Sequence, residues 1–298
     1  MSNWEEWKNY RNEVTDFIIG HCEKGSSVAI LGAGKCEDIE LERLKGHFAK
    51  IVLMDRDARE MEEALEKLKK HSGETDSLEA VKAGGNIEAV QKEFVGITGD
   101  DFAITMKYCT GNLMTDLMQA RVNEFSDGLI EEIERIYANI SEYNPELGKK
   151  CFDYAVVLGT HSQLNNNFTA QWFLVTTYYK TMINAGMFPG DSESNMRALA
   201  KIEADVAEVQ RRNTDAIIAR FNDAVTSMAS KGLILGIEEG NTGNTGSQID
   251  GAYNALRDIE NRIEKHELSL TDGLHTVWPF SKERGISYDM KLMSLKPD

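Results

Sequence analysis

The segment that most constrains the fold is VAILGAGKCEDI followed by KIVLMDRD. Val28 to Leu31 form a short, unbroken apolar run that stops at Gly32-Ala33-Gly34. A run of that kind closed by glycines reads as a strand buried on both faces, the pattern of a parallel sheet covered by helices. Next, CEDIELERLKGHF sets Ile39, Leu41, Leu44 and Phe48 on one helical stripe, with Asp38 as a candidate cap at its start. KIVLMD is a second buried strand, ending in Asp55, and AREMEEALEKLKKH is strongly helical. Strand, helix, strand, helix in this order means parallel strands joined by right-handed crossovers.

The pattern continues along the chain. Residues Trp4 to Cys22 place Trp4, Trp7, Tyr10, Val14, Phe17 and Ile18 at helical spacing. A third strand is expected near Val90 to Ile97, a fourth at Tyr154 to Leu158 and a fifth at Leu233 to Ile237. HTVWPF and ISYDMKLMSL read as two closing strands paired as a hairpin. Two helical inserts interrupt the alternation, at about 102–150 and about 165–231. The expected fold is α/β: a doubly wound, mostly parallel seven-stranded sheet with an antiparallel C-terminal hairpin and helical insertions, forming one domain over 1–298.

Charge and cysteine usage narrow the partners. The 298 residues carry a net charge of -16, a field that repels phosphate backbones and anionic lipid. Nucleic acid and membrane are therefore not expected as partners. The four cysteines, Cys22, Cys36, Cys109 and Cys151, are scattered without a C-x-x-C pair or a Cys/His cluster, which argues against a disulfide framework or a metal site. The polar amino end is unlike a signal peptide and no apolar run reaches spanning length, so a cytoplasmic location is expected.

The chemistry centres on the first two strands. Gly32 and Gly34 let the chain turn sharply and let a ligand approach the backbone. Asp55 lies about 20 residues on, at the end of the second strand, where a carboxylate can accept both hydrogen bonds of a ribose diol. Together they form an adenosine-binding arrangement; the structural alternative is a glycine turn beside a helix-capping acid. Dinucleotide sites prefer G-x-G-x-x-G with a pyrophosphate on the helix start. Here Glu37 takes the third position and Asp38 follows it. Two carboxylates repel a pyrophosphate and suit the sulfonium and ammonium groups of S-adenosylmethionine (SAM).

These motifs resemble those of class I SAM-dependent methyltransferases. VAILGAGKCEDI looks like the family's first motif and VLMD like its second. TGDD is similar to its adenine-side acid, FDYAVVLGTHSQL to its fourth-strand motif, and WPFSKERGISYDMKL to its closing hairpin. The resemblance implies SAM as cofactor, with Gly32, Ala33 and Gly34 beside the methionine moiety, Asp55 on the ribose, Asp100 or Asp101 on the adenine amine, and Gly159 also at the cofactor. Two departures stand out. The acid usual before the first glycines is replaced by Ile30–Leu31, and THSQLNNN stands where an amino-methylating N-P-P-Y type motif would follow the fourth strand.

Beyond that set, His161 follows the fourth strand, at the edge where open α/β sheets bind ligands, and is a candidate general base or a loop hydrogen-bonder. Gln163 and Asn165 are candidates for an acceptor's polar groups or for helix capping. Glu238 and Glu239 suit a substrate amine or a metal, with solvation at a strand end the preferred reading. Tyr178 and Tyr179 read as packing, and His275 and Trp278 as structural. The expected activity is methyl transfer from SAM to a small or medium polar acceptor, with the inserts roofing the acceptor or forming an oligomer interface. The alternatives are a non-catalytic SAM-binding or interaction protein and an NAD(P)-dependent oxidoreductase.

Overall fold

A computed structural model describes residues 4–72, 86–96, 122–165, 176–188, 190–241 and 250–298. The chain forms two compact units, one comprising Met1–Phe94, Pro145–Ser162 and Ile218–Asp298, the other Val95–Asn144 and Gln163–Ile217.

The first unit is built on a seven-stranded sheet. Its strands are β1 (Ser27–Leu31), β2 (Lys50–Asp55), β3 (Ile87–Gln91), β4 (Phe152–Leu158), β5 (Ala229–Asn241), β6 (Leu268–Ser281) and β7 (Ile286–Pro297), in the order β3-β2-β1-β4-β5-β7-β6. The first five in that order are mutually parallel, and β7 runs antiparallel to both β5 and β6. This is the α/β sheet with an antiparallel closing hairpin that the sequence led us to expect. β1 is central because it is apolar on both faces: Val28, Ala29, Ile30 and Leu31 are all buried, and it pairs with β2 on one side and β4 on the other.

Three helices of this unit frame the site. Helix α1 (Lys8–His21) buries Tyr10, Val14, Phe17 and Ile18 at helical spacing, together with Arg11 and Thr15. Helix α2 (Leu41–His47) buries Leu41 and Leu44, and α3 (Ala58–Ser72) buries Met61, Ala64 and Leu65. These faces meet one side of the sheet in a core with Val28, Ile30, Ile51 and Leu53. In the second unit, α4 (Val122–Glu142) buries Ile133, Ile136, Tyr137 and Ile140. A helix at 176–184, α5, buries Tyr179 and leaves Tyr178 exposed. Helix α6 (Ser192–Met228) begins in the second unit, and its last residues, from Ile218, belong to the first. The last helix, α7 (Asp250–Glu264), packs on β5 and β6.

Two local expectations change. The third strand lies at Ile87–Gln91 rather than Val90 to Ile97, in register Ile51↔Ile87 through Asp55↔Gln91. It is an edge strand in which Ile87 is buried but Glu88 and Gln91 are exposed, so it lacks the continuous apolar run that marks a central strand. Phe94, beyond its end, packs instead on Phe221 at 5.5 Å. Asp38 does not cap α2. The helix begins three residues later, with Glu40 as its N-cap residue and no side-chain cap hydrogen bond. Residues 32–40 are instead a run of turns held by α1: Thr15 Oγ1 accepts the Glu40 N–H at 2.8 Å, and Arg11 donates to Glu40 Oε1 at 2.6 Å and to the Glu37 carbonyl at 3.2 Å.

Candidate functional site

The glycine turn sits at the carboxyl end of β1, and its shape follows from three contacts. Gly32 has φ +68° and Gly34 φ +45°, both in the left-handed region. The N–H groups of Gly32 and Ala33 both donate to the Met54 carbonyl, at 2.8 and 3.2 Å, which draws the turn over β2. A Cβ at Gly32 would fall 2.1 Å from Thr160 Oγ1. Thr160 itself is anchored across β1 and β4 through the carbonyls of Leu31 and Leu158, at 3.3 and 3.2 Å.

Asp55 closes the other side. Its Oδ2 accepts the Gly34 N–H at 3.0 Å, and its Oδ1 accepts the Asp57 N–H at 2.9 Å. The glycine turn and the acid at the end of β2 are thus one structure. Each carboxylate oxygen keeps a lone pair, so the group can still accept from a diol.

The charges around the turn are sorted. Glu37 accepts from Lys67 Nζ at 3.1 Å. Burial, with Glu37 beside it, raises the Asp38 carboxyl to about 6, against weaker opposition from Arg11. Glu37 is thus ion-paired with Lys67, and Arg11 is the cation that acts on Asp38.

A second cluster, which the sequence did not reveal, lies beyond the end of β4. Gly159 has φ +57°, and its N–H donates to the Gly236 carbonyl at 2.9 Å. A Cβ there would stand 3.3 Å from Trp278 Cζ3 and 3.6 Å from Glu238 Oε1. Glu238 is 2% exposed, so the expectation of a solvated strand end is corrected for this residue. The strand runs on through Leu233, Ile234, Leu235 and Ile237 without reaching the surface and carries Glu238 inward with it. Ser162 donates to Glu238 Oε1 at 2.8 Å, while Oε2 is buried without a partner. Burial raises the Glu238 carboxyl above the usual carboxylate range. Tyr10 stacks on Trp278 with centroids 6.0 Å apart, and Trp7 meets the same indole edge-on at 5.2 Å. The signal available in the sequence was the helical spacing of Trp7 and Tyr10, but nothing there tied them to Trp278 or Glu238. Glu239, next in the strand, pairs with His275 at 2.7 Å.

The remaining candidates are placed as follows. His161 is fully buried at the start of a 3-10 turn (His161–Gln163), edge-on to Phe221 at 5.4 Å. Its Nε2 meets Asn222 Oδ1 at 2.9 Å, and the Asn222 amide donates to Asp258 at 2.8 Å, so Nε2 carries the ring proton. Burial lowers its pKa from 6.5 to about 4, which keeps the ring neutral and suits a packing role. Asn165 is buried inside the second unit, where it accepts from Tyr137 at 2.5 Å and donates to Thr214 at 2.8 Å; those bonds occupy its amide. Gln163 is exposed and belongs to the same unit. Asp100 and Asp101 lie outside the described residues. Among the described residues, no group of His, Cys, Asp and Glu is placed to hold a metal ion, and no helix is long and apolar enough to cross a membrane.

The His161 shift gives a pH test with a definite sign. The folded state disfavours the proton, so this stabilisation is complete above about pH 6.5 and fades as pH falls toward 4. Asp38 acts oppositely: its contribution is complete below about 3.8 and is lost as pH rises through about 6. Urea unfolding of the wild type and His161→Gln at pH 7.5, 5.5 and 4.5 separates the two. The wild type is expected to lose on the order of 2–3 kcal/mol more than the variant over that range. Parallel profiles would contradict the burial of a neutral ring.

No family model and no curated protein sequence matches the chain. Solved structures similar to it include a SAM-dependent methyltransferase from Methanosarcina mazei (8% identity, 94% of this chain and 96% of that one, TM-score 0.43). Another is a SAM-dependent methyltransferase from Aquifex aeolicus (10% identity, 97% and 92%, TM-score 0.43). A third is magnesium protoporphyrin IX methyltransferase from Synechocystis PCC 6803 with bound SAM (12% identity, 97% and 79%, TM-score 0.40). At these identities and TM-scores the likeness assigns neither a substrate nor an activity to this chain.

Proposed function

We propose that the chain is a SAM-dependent methyltransferase acting on a small or medium polar acceptor. The observation that carries this reading is the joined glycine turn and Asp55, set in a sheet where antiparallel β7 is inserted between β5 and β6. The dinucleotide-binding arrangement has the order 3-2-1-4-5-6 and a helix N-terminus directly behind the glycines to hold a pyrophosphate. Here the closing hairpin replaces that order, α2 starts only at Leu41, and the intervening turns carry an acid. The late start of α2 and the acid Asp38 in the turn before it favour a cationic methionine end over a pyrophosphate.

In this reading Asp55 orients the ribose, and the turn from Gly32 to Gly34 supports the methionine portion. Bound SAM supplies an activated methyl group. The protein's part is to hold acceptor, methyl and sulfur in line and to remove a proton where the acceptor carries one. A thermal-shift series with SAM, S-adenosylhomocysteine, NAD and NADP tests it. Stabilisation grows as RT ln(1 + [L]/Kd), so the two adenosyl sulfur compounds are expected to raise the midpoint with concentration and the nicotinamides to leave it unchanged. A rise with NAD or NADP alone would replace this reading with the oxidoreductase one.

A further inference from the structure

We infer that a cavity lined by Trp4, the turn after β1, α2 and α3 is a binding site for a small molecule with an apolar body and one positive charge. The cavity lies wholly within the first unit. The inference goes beyond the methyltransferase reading and does not rest on it.

Local structure opens the space. The turns over residues 32–40 delay α2 to Leu41, where it runs for only 7 residues, whereas α3 runs for 15. Ala64, Lys67 and Leu68 share one face of α3, at i, i+3 and i+4, and that face borders a cavity of about 320 Å³. Small-molecule sites span about 300–1,000 Å³, with mostly apolar walls and a few polar groups. Cys36 from the turn, Leu41 from α2 and Trp4 complete the apolar lining. Burial pushes the Cys36 thiol well above its usual range, so it stays neutral and adds no charge to the wall.

The Trp4 wall is fixed by the fold. The Arg11 guanidinium lies 3.5 Å from the Trp4 ring centroid, and Arg11 is itself held by Glu40 Oε1 and the Glu37 carbonyl. None of Gly32, Gly34, Asp55 or Gly159 lines the cavity, which separates it from the cofactor position proposed above.

Charge selects the guest. Five ionisable side chains line the cavity: Glu5, Lys35, Glu40, Glu42 and Lys67. Both lysines are engaged, Lys35 with Glu63 at 3.0 Å and Lys67 with Glu37 at 3.1 Å. Glu40 is paired with Arg11 at 2.6 Å. Glu5 and Glu42 are exposed, so they stand at the mouth, and neither side chain has a partner among the described residues. The cations at the cavity are balanced and these two carboxylates are not. They repel an anion, add nothing for a neutral molecule and attract an ammonium group at the end of an apolar body. Exposed ion pairs are individually weak, so the buried body supplies most of the affinity and the charge supplies the selectivity.

Calorimetric titration of the full chain with 2-naphthylmethylamine, 2-naphthylmethanol and 2-naphthoate tests this, because the three share one apolar body and are cationic, neutral and anionic. The amine is expected to bind about threefold to tenfold more tightly than the alcohol, and the carboxylate most weakly. The double variant Glu5→Gln/Glu42→Gln is expected to bring the amine down to the alcohol without weakening the alcohol. Leu68→Trp, which fills the cavity from a partly buried position, is expected to abolish binding of all three. Saturating S-adenosylhomocysteine is expected to leave the amine bound. No binding of the amine, binding no tighter than that of the alcohol, a preference that survives the double variant, binding that survives Leu68→Trp, or displacement by S-adenosylhomocysteine would each overturn the inference. The wild-type comparison needs no variant to fold. A protein that binds the amine but not S-adenosylhomocysteine would count against the cofactor reading alone.

Discussion

Gly32→Ala is expected to destabilise the first unit by about 2–6 kcal/mol. Two costs add. A non-glycine residue at φ +68° carries backbone strain of roughly 1–3 kcal/mol. The new methyl group would lie 2.1 Å from Thr160 Oγ1, 2.9 Å from its Cγ2 and 3.0 Å from its Cβ, an overlap that ordinarily costs about 1–3 kcal/mol in a packed interior. Thr160 cannot simply rotate away, since its hydroxyl bridges the Leu31 and Leu158 carbonyls. The double variant Gly32→Ala/Thr160→Gly separates the terms. It removes all three atoms that the methyl meets, so urea unfolding is expected to show a favourable coupling between the two changes while the backbone cost persists. Strict additivity would mean that the close approach of β1 and the residue after β4 is not what requires glycine here.

Asp55→Ala is expected to weaken S-adenosylhomocysteine binding by roughly 1.5–3 kcal/mol, the range for lost hydrogen bonds to a charged group. The loss has two sources. On the proposed reading a ribose diol loses its acceptor; the N–H groups of Gly34 and Asp57 lose theirs as well, which loosens the glycine turn. Asp55→Asn keeps the volume and one oxygen but cannot accept at both ends of the group. It is expected to fall between the wild type and the alanine variant. Calorimetry that gives all three the same affinity would remove Asp55 from the site and leave it as a brace for the turn.

How much of this was legible follows the physics of each element. β1 and β2 announce themselves because strands buried on both faces must be apolar throughout, and Asp55 is legible as the first polar residue after such a run. The closing hairpin is readable from two aromatic, β-branched segments near the end of the chain. β3 was misplaced because an edge strand needs only one covered face, so Ile87 to Gln91 has no unbroken apolar signature. Asp38 read as a cap because the turn from residues 32 to 40 could not be distinguished from a helix start. What lengthens that turn is a set of contacts with Arg11 and Thr15, more than 20 residues away in sequence.

The end of β5 was the least legible. Glu238 read as a solvated strand end because its burial depends on Tyr10, Ser162 and Trp278, which only the folded sheet brings together. His161, prominent in the sequence, spends its one N–H on Asn222 and is shielded by Phe221. A ring held near pKa 4 is a weak base at neutral pH, which weighs against His161 as a general base.

On the proposed reading, adenosine binds at the joined edge of β1 and β2 and presents a sulfur toward β4. A crystal structure of the protein with S-adenosylhomocysteine tests it most directly. The ribose diol is expected within hydrogen-bond distance of Asp55, about 2.6–3.2 Å. The amino-acid end is expected along the turn from Gly32 to Gly34 and the thioether sulfur between that turn and Gly159. An adenosine group bound elsewhere, or one lying on this edge with its sulfur directed away from β4, would contradict it.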